Sequence, residues 1–313
     1  MTPRLDPDAQ ALLEVIQAGN LPQPYELPLD RARESARSAL VSRGAPPSLH
    51  HVEDLALPTP HGPLTLRLYR PAAGPLPTAL FLHGGGWVLN DLDTHDRLCR
   101  LLAGRSGVML AALHYRRAPE HRHPAALEDA HLAYRWLLDN ATAIGAEPGA
   151  VALVGESSGA ATAACLSVLL RDLGVRLPSF QLLVYPVADD FGGWPSCERY
   201  ASGYTLDAGF ARWALDSYLS PGQDRRDPYL FPLAAPDLGG LPATLVVTAE
   251  FDPLRDEGVA YAQRLAAEGV VVEHRHVGDQ MHGFLLLDRA IAKVDGLIGE
   301  LAAALAGGAR SPA

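Results

Sequence analysis

The chain has 313 residues, 48% of them hydrophobic, with a formal net charge of -10 and three cysteines. That is enough apolar material for one large core, and the scattered acidic residues argue against nucleic acid as a partner. Cys99, Cys165 and Cys197 lie at no C-x-x-C spacing, so neither a zinc ribbon nor a disulfide framework is expected, and the three should be reduced and buried.

In chain order, the amino terminus carries charges that recur through Arg37 and lacks the uninterrupted apolar stretch of a signal peptide. No segment approaches the apolar length of a membrane span, so a cytoplasmic location is the expectation. Residues 8–16 and 29–40 read as helices separated by the turn Leu21-Pro22-Gln23-Pro24. They precede the first predicted strand and cannot be crossovers.

From residue 64 onward, apolar runs at 64–69, 78–82, 108–113, 151–154, 180–185, 243–248 and 270–276 read as strands. Amphipathic stretches at 127–138 and 259–267 read as helices between them. Such alternation predicts an α/β fold with a mostly parallel central sheet and helices on both faces. Residues 187–225 break the rhythm with Phe191, Trp194, Tyr200, Tyr204, Phe210, Trp213 and Tyr218. Aromatics at such density commonly belong to a core. Here they are expected to pack with residues 1–50 as a helical cap over the sheet's carboxyl edge, where α/β proteins bind ligands. Residues 51–313 then form the catalytic domain, with a cap insertion at about 187–225 and a frayed tail from 307.

Gly155-Glu156-Ser157-Ser158-Gly159 follows the strand 151–154 directly and opens a helix-like stretch. The spacing suits a strained strand-to-helix turn that exposes the Ser157 hydroxyl above the sheet, because the flanking glycines carry no side chain to clash. Alone, the pattern also fits an ordinary turn. His83-Gly84-Gly85-Gly86-Trp87 follows the strand 78–82, and its glycines leave backbone N–H groups unshielded. A serine that attacks an ester needs donors for the developing oxyanion, and Gly85, Gly86 and the Ser158 N–H are the candidates. A flexible surface turn is the plain reading of Gly-Gly-Gly by itself.

A base and an orienting carboxylate should follow at later strand ends, in the order Ser, Asp or Glu, His. Asp252 follows the strand 243–248, and His282, beside Gly283, follows the strand 270–276. Asp256 and Glu257 fall in the first turn of the next helix, where carboxylates complement the dipole, so a structural role is assigned to them. His50 with His51, and His121 with His123, have no partners at metal-ligand spacing and read as surface or polar-turn residues. His114 and His274 read as packed, and His83 as an organiser of the glycine loop. Neither a metal nor an organic cofactor is expected.

Together these motifs resemble the hormone-sensitive-lipase-like branch of the α/β-hydrolases, as do Tyr115-Arg116-Arg117-Ala118-Pro119-Glu120-His121 and Pro124-Ala125-Ala126-Leu127-Glu128-Asp129-Ala130. The resemblance implies an α/β-hydrolase fold with a helical cap, Ser157 as nucleophile, His282 as general base and acid, and Asp252 as its orienting partner. Gly85, Gly86 and Ser158 become the oxyanion hole. It also implies a small-molecule ester of short to medium acyl length as substrate, and a homodimer through a sheet edge such as strand 270–276. The family's elbow is usually Gly-Asp-Ser-Ala-Gly-Gly, whereas Glu156, Ser158 and Ala160 stand here. An amidase or formamidase uses the same triad, and a lidded scaffold of this kind can also serve as a non-catalytic receptor for small molecules; turnover of esters against amides and labelling of the serine separate these readings.

Overall fold

The computed structural model describes residues 3–41 and 46–310. Its strands are β1 (His51–Leu57), β2 (Leu64–Arg70), β3 (Leu76–Leu82), β4 (Met109–His114), β5 (Ala146–Glu156), β6 (Gln181–Val184), β7 (Thr244–Phe251) and β8 (Val272–Met281). They form one sheet in the order β1-β2-β4-β3-β5-β6-β7-β8. Pairing is antiparallel between β1 and β2 and between β2 and β4, and parallel across the rest. All residues of β3 and β7 are buried, as expected for central strands covered on both faces.

Alternate residues of a strand point to opposite faces, and the core divides accordingly. Leu80 and Leu82 of β3 pack with α4 (Ala125–Asp139), α5 (Ser158–Asp172) and α8 (Arg255–Ala267), whereas Ala79 and Phe81 pack with α3 (Asp96–Ser106) and α9 (Ala292–Gly308). The small residues Ala160, Ala161, Ala163 and Ala164 let α5 lie close against the sheet, and all four are buried. α1 (Pro7–Gly19) and α2 (Leu29–Val41) bury only narrow stripes, through Ala9 and Leu13 on α1 and Ala32 on α2. Polar contacts add to their anchorage: Arg33 forks onto Glu120 at 2.6 and 2.8 Å, and Arg37 pairs with Asp91 and Asp93. The segment after β6 contains α6 (Pro195–Arg199) and α7 (Ala208–Tyr218).

The structure departs from the sequence expectations at several elements. The first strand is β1, not the run beginning at 64; apart from Leu57 its residues are exposed or half-buried, so it lacks the apolar stretch that marks a central strand. Helices α3 and α9 are additions to the elements expected from the sequence. α9 includes Gly307 and Gly308, so the tail is ordered to that point, and residues 311–313 lie outside those described. β8 runs to Met281, which places His282 at the strand's end. Among the described residues, no helix is long and apolar enough to cross a membrane.

Candidate active site

β5 ends at Glu156, and the chain reverses through Ser157 into α5. Ser157 has φ 56° and ψ −123°, a conformation that side-chain-bearing residues seldom adopt. The surroundings hold it there: its N–H donates to the Val184 carbonyl at 2.9 Å, and the first turn of α5 packs directly on β3. A Cβ on Gly159 would lie 2.1 Å from the Leu82 carbonyl oxygen, and one on Gly155 would lie 2.5 Å from Ala160 Cα. Neither neighbour is a movable side chain. Gly159→Ala should therefore destabilise the fold by about 3 kcal/mol or more, read as a lower urea midpoint, whereas an unchanged midpoint would show that the elbow has room to give.

Because β5, β6, β7 and β8 are parallel neighbours, their carboxyl ends lie along one edge. Ser157 follows β5, Asp252 follows β7 and His282 follows β8. The three side chains meet there. Ser157 Oγ is 2.9 Å from His282 Nε2, and His282 Nδ1 is 2.7 Å from Asp252 Oδ2. Asp252 is fully buried, and its Oδ1 accepts the Leu254 N–H at 2.8 Å, which fixes the carboxylate plane. Thr205 Oγ1 donates to the His282 carbonyl at 2.5 Å, and the Tyr185 ring packs 4.5 Å from the imidazole. Burial pulls the His282 pKa down, but the Asp252 charge and hydrogen bond, with Glu156 adding to them, outweigh it and hold the imidazole above its usual value.

The glycine loop leaves β3 beside this edge. Gly85 and Gly86 have φ of 108° and 63°, which glycine adopts without steric cost. The Gly85 carbonyl accepts from Val88 and Leu89 at 3.1 and 2.8 Å, and no partner among the described residues takes the N–H groups of Gly85, Gly86 or Ser158. Trp87 clamps the loop: its indole N–H donates to Thr162 Oγ1 at 3.0 Å, its backbone N–H donates to Ser158 Oγ at 3.2 Å, and its ring stacks on Tyr218 at 4.2 Å. The Ser158 hydroxyl thus braces the loop to the elbow. His83 is buried against Tyr115 with Nδ1 2.9 Å from the Gly84 carbonyl; desolvation drives its pKa well below the usual value, so it stays neutral and organises the loop as expected.

A cavity of about 210 Å³ opens onto Ser157, His282, Gly85 and Gly86. Leu89, Phe210 and Leu286 supply its apolar wall, and Gln23, Pro24 and Thr205 reach it from the two irregular regions.

Of the other residues singled out in the sequence, His50, His51 and His121 are exposed; His274, expected to be packed, is exposed as well, with Nε2 2.9 Å from Thr248 Oγ1. His123 is a correction. It is buried, with Nδ1 3.3 Å from Tyr218 Oη and Nε2 3.4 Å from Asp227, because the cap insertion folds over it. Glu257 lies in the first turn of α8 as expected, fully buried, and its role is structural: it accepts the Ala188 N–H at 2.8 Å. Asp256 accepts the Ser196 N–H at 2.9 Å. Cys99, Cys165 and Cys197 are buried free thiols, and the described residues contain no group of three or more His, Cys, Asp or Glu able to hold a metal ion. His95 meets Glu156 across 61 residues of sequence, a contact that no spacing signals.

The sequence profile of a family described as alpha/beta hydrolase fold matches residues 79–286. The chain is 42% identical over 249 residues to a carboxylic ester hydrolase, LipN, of Mycobacterium tuberculosis, covering 77% of this chain and 66% of that protein. It is 37% identical over 305 residues to an ethyl acetate hydrolase of Pseudomonas putida, covering 93% and 95%. Among solved structures, an ester hydrolase from the metagenome of Lake Arreo, complexed with a bipyridine phosphonate derivative, superposes with a TM-score of 0.93 at 36% identity, covering 97% of this chain and 98% of that one. A thermostable esterase from Pseudomonas putida gives a TM-score of 0.94 at 32% identity, with 98% of each chain covered.

Proposed function

Because this chain belongs to the α/β-hydrolase fold family, in its hormone-sensitive-lipase-like branch, and is by that kinship a carboxylic ester hydrolase, we propose that it works through Ser157, His282 and Asp252. Ser157 Oγ attacks the ester carbonyl carbon while His282 Nε2 takes its proton, and the carbonyl oxygen becomes an oxyanion facing the Gly85, Gly86 and Ser158 amides. Collapse breaks the ester C–O bond, and His282 returns the proton to the departing alcohol. Water then gives a proton to His282 and attacks the acyl-enzyme; the acid leaves and Ser157 is restored. Asp252 holds the imidazole in the tautomer with Nδ1 protonated. The observation that carries this reading is the 2.9 Å and 2.7 Å relay from Ser157 through His282 to Asp252 at one sheet edge.

The substrate we assign is a small ester of short to medium acyl length, which the confined cavity supports. A Cβ on Gly86 would stand 2.7 Å from Ala214 Cβ, so the α7 wall approaches the loop closely. Residues 1–50 and about 187–225 act as the cap: each contributes to the cavity, and among the described residues neither supplies a strand of the sheet.

The test is a panel of p-nitrophenyl acyl esters and matched anilides across pH. Esters of short chains should turn over faster than the anilides, and a preference for anilides or for long-chain emulsions would overturn the assignment. His282 must be neutral to accept the proton, and its pKa is raised, so kcat/KM should fall on an acid limb centred above 6.5 and be largely lost one to two units below it.

A further inference from the structure

Glu156 is the last residue of β5 and precedes Ser157 directly, yet the ester mechanism assigns it no task. It is buried, and it lines the same cavity as Ser157 and His282. Its Oε2 lies 3.3 Å from His95 Nε2, and His95 in turn has Nδ1 2.9 Å from Thr94 Oγ1. A Cβ on Gly84 would fall 1.9 Å from the same Oε2, so the carboxylate is pressed against the first glycine of the oxyanion loop.

We propose that Glu156 is a positioning residue for ester hydrolysis: a fixed buried negative charge that stabilises the His282 imidazolium as it forms, while its pairing with His95 braces the glycine loop. This inference rests on the mechanism proposed above. A buried carboxylate persists only where it is paired, and in the ground state Glu156 has His95 Nε2 at 3.3 Å. When Ser157 yields its proton, His282 becomes cationic with Asp252 on its Nδ1 side and the Glu156 carboxylate in the same cavity. The attraction is stronger in the transition state than in the ground state, so it raises kcat.

The groups around His282 are Asp252 from the end of β7 and Ser157 from the end of β5, each hydrogen-bonded to it, the Tyr185 ring from the end of β6, and Glu156, which lines the same cavity. Asp207, ahead of α7, lines the cavity more distantly and caps the Phe210 N–H. Burial raises the Glu156 pKa, but the His95 hydrogen bond and charge, with His282 adding, bring it below the usual carboxylate value, so Glu156 is ionised wherever His282 titrates.

The test is kcat/KM against pH for wild type, Glu156→Gln and Glu156→Asp on p-nitrophenyl butyrate. Removing the charge lowers the His282 pKa, so in E156Q the acid limb should move about one unit to lower pH while the plateau kcat falls about tenfold. E156D keeps the charge and should keep the wild-type limb. An unmoved limb in E156Q, or the same displacement in E156D, would reduce Glu156 to packing and overturn the proposal. If the Gln variant does not fold, E156D against E156N makes the same comparison at equal size, and coincident limbs overturn it. A wild type that shows neither ester turnover nor phosphonate labelling of Ser157 would instead refute the mechanism on which the inference rests.

Discussion

Ser157→Ala is expected to lower kcat on a p-nitrophenyl ester by about six orders of magnitude while leaving the unfolding transition in place. The reason for the first part is that the hydroxyl oxygen is the atom that forms the acyl bond, and among the described residues no other side chain is hydrogen-bonded to His282 Nε2. The second part follows from where the strain lies. The elbow's cost is in the backbone, at φ 56° with a Cβ attached, and alanine keeps that Cβ. The variant loses one hydrogen bond at 2.9 Å, worth about 1 kcal/mol net, and the surrounding packing is untouched. Residual turnover should come from the oxyanion donors and binding alone. Retention of more than about one part in a hundred of the activity, after exclusion of contaminating esterase, would place the chemistry elsewhere.

The elbow was legible in sequence because its requirement is steric: Gly159 approaches the Leu82 carbonyl so closely that only hydrogen fits, and that constraint leaves a letter at a fixed spacing. The central strands were legible for a related reason, since burial on both faces leaves unbroken apolar runs in β3 and β7. β1 left no such mark. It is an edge strand with Glu53 and Asp54 in its middle, and its identity comes from backbone pairing with β2. α9 did leave a helical stripe, Val294, Leu297, Ile298, Leu301 and Leu305, but its many glycines masked it.

The triad was legible as three residues at strand ends in the right order. Its supports were not: His95 against Glu156, Thr205 on the His282 carbonyl and Tyr218 under Trp87 are contacts between distant segments, fixed only once the sheet has closed. Glu156 shows the difference well. As a letter it is a departure from the family's Asp, whereas in the fold it is a buried charge with a partner.

Asp252→Asn should be the second most damaging change, lowering kcat by about four orders of magnitude with little effect on KM. Asp252 serves two donors at once, the Leu254 N–H on Oδ1 at 2.8 Å and the His282 Nδ1–H on Oδ2 at 2.7 Å. Asparagine has one acceptor oxygen. If that oxygen stays on Leu254, the amide NH₂ points at Nδ1, and the imidazole must carry its proton on Nε2, where it faces Ser157 and cannot take the hydroxyl proton. If the amide turns over, its NH₂ confronts the Leu254 N–H in a fully buried site, and the loop after β7 must shift to relieve it. The first arrangement removes the base, and the second keeps the tautomer only at the cost of that buried clash. The charge is lost as well, so the His282 pKa should fall and the acid limb should move to lower pH by more than in the Glu156→Gln variant, because Asp252 is the larger of the two upward pulls. Pre-steady-state acylation with a p-nitrophenyl ester reads the base step directly. A reduction of less than tenfold would transfer the orienting role to Glu156, the other carboxylate beside this imidazole in the cavity.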